Sequence, residues 1–126
     1  MARHALSVTE RNWMAHFLVG NALMARGWRQ EATAHLEASV RINPYHADAW
    51  SNLGGNYAGQ GRFEEAERAL RQAVRINPNL VAARFNLGLR LLRRGDLAGA
   101  NEQYEVLRRL DPGVAESLRR FLAAFP

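Results

Sequence analysis

Cysteine is absent from the chain, which excludes a disulfide, a thiolate zinc site and a cysteine nucleophile. Lysine is absent as well, so the formal charge of +5 is carried by arginine alone. An arginine-only basic set points to a GC-rich coding background more than to a binding requirement. The arginines also alternate with carboxylates: Arg62, Glu64, Glu65, Glu67, Arg68 and Arg71 describe a solvated helix face with i to i+4 pairs. The densest basic groups are Arg90, Arg93 and Arg94, then Arg108, Arg109, Arg119 and Arg120. They lack the one-sided stripe with stacking aromatics that a nucleic-acid surface needs, so no nucleic-acid partner is expected. No apolar run approaches the roughly 20 residues of a membrane span, and Met1 to Asn12 contain no apolar leader core. The chain is therefore expected not to insert into a membrane, and to lie in the cytoplasm unless a parent protein places it elsewhere.

What is present is a period. Pro44, Pro78 and Pro112 stand 34 residues apart, and the same interval separates Gly20, Gly54 and Gly88. Gly27, Gly61 and Gly95 keep it too, as do Ala32, Ala66 and Ala100. From Ala47 to Leu80, the residues Trp50, Leu53, Gly54, Tyr57, Gly61, Ala66, Leu70, Ala73 and Pro78 fall at the offsets of a helix–turn–helix repeat of this length. On these residues the chain resembles the tetratricopeptide repeat (TPR) family, over nearly its whole length. The resemblance implies an all-α fold, a right-handed superhelix of antiparallel helix pairs. It also implies divisions: a remnant of a preceding repeat or an N-terminal extension over 1–12, repeats at 13–46, 47–80 and 81–114, and a capping helix over 115–126. Within the family the chain resembles a segment of a bacterial TPR array.

Taken in order, Ala2, Ala5 and Val8 overlie Leu70, Ala73 and Ile76, as the tail of a missing repeat would. The first helix, about Glu10 to Arg26, is expected to pack through His16, Val19, Gly20 and Leu23 and to break at Gly27. The second, about Arg29 to Arg41, buries Ala32, Leu36 and Ser39 with Ile42, and ends at Asn43 before Pro44. In the central repeat the helices span Tyr45 or His46 to Gln60 and Phe63 to Ile76. Gly54 inside a helix costs about 1 kcal/mol relative to alanine, so its recurrence at Gly20 and Gly88 argues for close helix crossings. Asp96 is placed to cap the second helix of the third repeat. In the tail, Leu118, Phe121, Leu122 and Phe125 are expected on the inner side of the capping helix.

The resemblance also implies a concave groove lined by the first helices. By register it holds Met14, Phe17, Asn21 and Met24, then Asp48, Ser51, Asn52, Gly55 and Gly59, then Ala82, Phe85, Asn86, Leu89 and Arg93. Asn52 and Asn86 occupy one register position, at which family members that grip extended peptides carry a ladder of asparagines. A side-chain amide offers donor and acceptor together, so it can bond both groups of a peptide bond without reading side chains. Leu18 interrupts the ladder in the first repeat. Asn21 and Asn52 match the two asparagines of the family's chaperone-tail clamp, but Phe17, Ala82 and Asn86 stand where its basic residues belong. A terminal carboxylate would then lack its charge-assisted bonds. The apolar residues Phe17, Met24, Phe85 and Leu89 suit a peptide with apolar side chains, and Arg93 could attract an acidic one.

No catalytic constellation emerges: His4, His16, His35 and His46 show no metal-ligand spacing, Ser51 has no partners arranged around it, and the glycines fall at repeat positions rather than in a phosphate loop. The expectation is a non-enzymatic module without metal or cofactor that binds a protein or peptide partner as a scaffold or adaptor. Two alternatives stand beside it: a non-catalytic TPR segment of a larger bacterial enzyme, such as a membrane glycosyltransferase-like protein, or a small secretion chaperone. Self-association through the apolar N-terminal edge is a further expectation.

Overall fold

The computed structural model describes residues 12–124. The remnant expected over residues 1–12, apart from Asn12, and the position of Phe125 lie outside the described residues. Among the described residues seven helices follow one another: α1 (Trp13–Ala25), α2 (Arg29–Ile42), α3 (Ala47–Gly59), α4 (Phe63–Ile76), α5 (Val81–Arg93), α6 (Leu97–Leu110) and α7 (Pro112–Ala124). The starts and ends of α1, α3 and α5 are spaced by the repeat interval, as are those of α2, α4 and α6, so the period in the sequence is a period of helix pairs.

The turn inside each pair has one chemical cause. Gly27, Gly61 and Gly95 adopt φ of 81°, 77° and 87°, in the left-handed region that L side chains avoid. Each closes the preceding helix with two bonds of the Schellman type. In the central pair Gly61 N donates to the Ala58 carbonyl (3.0 Å) and Arg62 N to the Tyr57 carbonyl (2.9 Å). No atom crowds the Cα of Gly61, so the conformation alone selects glycine. Gly61→Ala is expected to cost about 1 kcal/mol of stability, read from urea unfolding; an unchanged midpoint would contradict the assignment.

The connection between pairs also repeats. Asn43, Asn77 and Asp111 end the second helices, and each accepts a bond from a backbone N–H two residues on, Tyr45, Asn79 and Gly113 respectively. Of the three prolines here, Pro112 opens a helix, where its missing N–H costs nothing, whereas Pro44 and Pro78 sit in the turns ahead of α3 and α5. Asp96 caps α6 as expected, its Oδ1 accepting from Gly99 N at 2.8 Å.

Burial runs along the stack in three successive clusters. Leu36, Leu53, Tyr57 and Ala66 belong to the first, Leu70, Leu87, Leu91 and Ala100 to the second, and Leu107, Ala115 and Leu118 to the third. Gly20 and Gly54 mark close crossings: a Cβ at Gly20 would lie 2.8 Å from Leu36 Cγ, and one at Gly54 2.7 Å from Leu70 Cγ. Gly88 differs. Tyr104 occupies the register of Leu70, and the space over Gly88 is taken by Leu118 of α7, at 2.7 Å.

Two sequence expectations are corrected at the ends. Val19 is 44% exposed rather than packed with Gly20, and only Gly20 is buried in α1. α1 is the outermost described helix and packs mainly on α2, which leaves Met14, Leu18 and Val19 at the surface. In α7, Leu118 is buried and Leu122 packs inward, but Phe121 is 47% exposed, its ring edge-on to Phe85.

Candidate functional site

The first helices of successive pairs, α1, α3, α5 and then α7, pack on one another more closely than the second helices do. Their free faces therefore form one continuous surface, crossed by a seam wherever two pairs meet. The seams share a register and differ in what fills them.

At the first seam, Asn52 Nδ2 of α3 donates to Asn21 Oδ1 of α1 at 2.7 Å. Each amide keeps its other half: Asn21 retains N–H donors and Asn52 a carbonyl acceptor. The Arg29 guanidinium lies against Gly59 and fills the space beside it. At the second seam the equivalent residues are smaller or displaced. Gly55 stands in the register of Asn21, Ala58 in that of Met24, and Phe63 in that of Arg29. Asn86, the counterpart of Asn52, thus faces a glycine, and a Cβ on Gly55 would still be 3.9 Å from its Nδ2. The result is a cavity of about 140 Å³. Gly55 and Ala58 border it on α3, Asn86, Leu89, Arg90 and Arg93 on α5, and Phe63 and Leu70 of α4 close it.

Arginine dominates the polar side of this cavity. The Arg90 guanidinium carbon sits 4.3 Å from the centroid of the Phe63 ring, a cation–π contact. α5 carries Arg84, Arg90 and Arg93 and no carboxylate. Several arginines outside α5 are paired: Arg94 bonds Glu67 (2.9 Å), Arg108 bonds Glu105 (3.1 Å) and Arg119 bonds Glu116 (2.7 Å). The bond from Arg119 holds the Glu116 carboxyl below its usual range, as the bond from Arg62 does for Glu65.

The sequence profile of the tetratricopeptide repeat matches residues 23–88, more than half of the chain. The chain belongs to the tetratricopeptide repeat family. Solved TPR structures superpose on most of it. The first TPR of Spaghetti (RPAP3) bound to HSP90 peptide SRMEEVD gives a TM-score of 0.84 at 22% identity, covering 90% of this chain and 92% of that one. The Arabidopsis OM64 TPR domain gives 0.82 at 18% identity, with 88% and 93% covered. The Sgt2 TPR domain from Aspergillus fumigatus gives 0.77 at 24% identity, with 88% and 79% covered. At these identities the likeness establishes the fold, a right-handed TPR superhelix. No curated protein matches the chain in sequence.

The TPR register places the groove residues named from the sequence in three groups. Asn21 and Asn52 are bonded to each other; Asn86, Leu89 and Arg93 share the cavity at the second seam. Phe17 and Met24 are half-buried against the first core cluster, and Phe17 lies edge-on to His46 at 4.7 Å. Phe85 packs on the third cluster near Phe121. Ser51, placed in the groove by register, is instead 3% exposed, because α3 is enclosed by helices of both neighbouring pairs.

Several functional-looking side chains of this TPR chain prove to be braces between elements. The Trp50 indole donates to the Pro44 carbonyl (2.9 Å), and Arg84, at the same register, donates to the Pro78 carbonyl (2.9 Å). Asn56 is fully buried and ties α3 to α2 through Arg29 O and Thr33 Oγ1, at 2.9 and 2.7 Å. The Tyr57 hydroxyl donates to Glu37; burial first, and then that bond, hold its pKa above the usual range. His16 and His35, remote in sequence, meet with Nδ1 atoms 3.1 Å apart. Their proximity is a packing result that residue spacing could not foretell. Among the described residues no three His, Asp or Glu side chains gather as a metal site, and no described helix is long and apolar enough to cross a membrane.

Proposed function

We propose that the chain is a protein-interaction module that holds an extended peptide along the shared face of α1, α3 and α5, with repeats at 13–46, 47–80 and 81–114 and a cap over 115–126. The observation that carries this reading is the row of amides. The linked Asn21 and Asn52 offer one donor set and one acceptor, and Asn86 offers both one repeat further on. Such a row matches the alternating N–H and C=O groups of an extended backbone. Phe17, Met24, Phe85 and Leu89 supply apolar surface beside it. A structurally similar TPR, that of Spaghetti, is bound to an HSP90 peptide, which supports a peptide as the class of ligand. The same peptide is not expected here, since Phe17, Ala82 and Asn86 hold the positions where a terminal-carboxylate clamp carries cations.

The test is a peptide-display selection on the purified chain, with enriched peptides then measured on the Asn52→Ala, Asn86→Ala variant. Loss of two net hydrogen bonds at about 1 kcal/mol each should weaken binding roughly thirtyfold, with helicity unchanged. Equal affinity on the double variant would remove the amide row as the gripping element.

A further inference from the structure

We infer that the cavity at the second seam is an anchor pocket for a glutamate of the bound peptide. The inference rests on the peptide-binding reading and specifies its ligand. Three observations converge on it. First, the cavity is bordered by Gly55 and Ala58, which stand where the preceding repeat has an asparagine and a methionine, whereas at the first seam Asn52 is bonded to Asn21 and Arg29 lies against Gly59. Its volume, about 140 Å³, is close to the roughly 150 Å³ void that admits one benzene-sized group. It thus accommodates one side chain.

Second, its walls are divided by chemistry. Ala58, Leu70 and Leu89 offer apolar contact for methylenes, and the polar groups stand on one stripe of α5, with Asn86, Arg90 and Arg93 spaced one and two turns apart. A glutamate combines two methylenes with a planar carboxylate and matches both halves, whereas an aspartate is one methylene shorter.

Third, the cations are available. Arg90 lies over the Phe63 ring and is in no ion pair among the described residues, so its guanidinium N–H groups remain for a carboxylate. Arg93 is exposed and takes part in none of the ion pairs among the described residues. No carboxylate borders the cavity. The ligand therefore supplies the missing negative charge.

The experiment is a selection from a random peptide library, run in parallel on the native chain, on Arg93→Glu and on Gly55→Leu. Both variants keep the fold for stated reasons. Arg93 is a surface residue, and leucine at position 55 enters open space within a helix, in place of a poor helix former; circular dichroism verifies both. The native chain is expected to enrich a motif with glutamate at one fixed position. On Arg93→Glu that position should change to lysine or arginine while the flanking preferences remain. On Gly55→Leu, with the cavity filled, the preference at that position should vanish. For a single enriched peptide, Glu→Gln should weaken binding about tenfold, with the difference shrinking as salt is raised. A native motif without an acidic position, or a glutamate preference that survives in either variant, overturns the anchor and leaves the peptide-binding reading standing. Enrichment of nothing on the native chain overturns that reading, and the anchor with it.

Discussion

Replacing Leu70 by alanine lowers the stability of the domain by about 3 kcal/mol, as urea unfolding followed by helical circular dichroism should report. Leu70 is 1% exposed. Its Cγ and Cδ2 sit over the bare Cα of Gly54, and it joins the second core cluster with Leu87 and Leu91 of α5. It thereby packs α4 both on its own partner helix and on the following pair. Truncation removes transfer free energy and leaves a void that α3 cannot fill, because glycine faces it. In a stacked repeat the nearest-neighbour interface carries much of the stability, so the loss is felt along the whole array. A cost below about 1 kcal/mol would show that the seam collapses around the deletion, as sites with mobile walls do. Leu70 also closes the anchor cavity, so the variant should bind enriched peptides more weakly even where it remains folded.

Gly54→Leu is expected to destabilise by about 3 kcal/mol for the opposite reason. A Cβ there meets Leu70 Cγ at 2.7 Å and the Ala66 carbonyl oxygen at 3.2 Å. The Leu70 branch point is held on the core side and the oxygen is helix backbone, so neither retreats without moving α4. The helical preference of leucine over glycine returns less than 1 kcal/mol of this. The two substitutions share one space, so they should not add. Gly54→Leu, Leu70→Ala together should be more stable than the sum of the single losses by about 1 kcal/mol or more, because the new side chain occupies the vacated volume. Strict additivity would mean that the two residues do not oppose each other across the crossing.

The fold was legible because each signal is local and is stated several times. A glycine at positive φ, a proline beyond a helix end and an aspartate at a cap each act within a turn of chain, and Gly27, Gly61 and Gly95 repeat the same instruction. The misread positions lie where packing is decided by neighbours. Val19 and Ser51 have the periodicity of core and groove respectively, yet the first is exposed and the second buried. α1 has one close partner helix and α3 is packed from both sides, so the same helical angle meets solvent in one and side chains in the other. Phe121 repeats the error at the far end. The groove residues divided in the same way. Sequence register set Asn21, Asn52 and Asn86 on one face, but only side-chain geometry joined the first two and left the third opposite Gly55.

The sequence by itself determined the repeat length and the helices and turns of the described residues, since these follow from backbone preference and periodicity over short distances. Tertiary structure decided which faces were covered, that His16 meets His35, and that Asn86 at the second seam borders a cavity. Those outcomes depend on the relative sizes of side chains from different helices brought to one place, a three-body property that the chain encodes but that no single stretch of it displays.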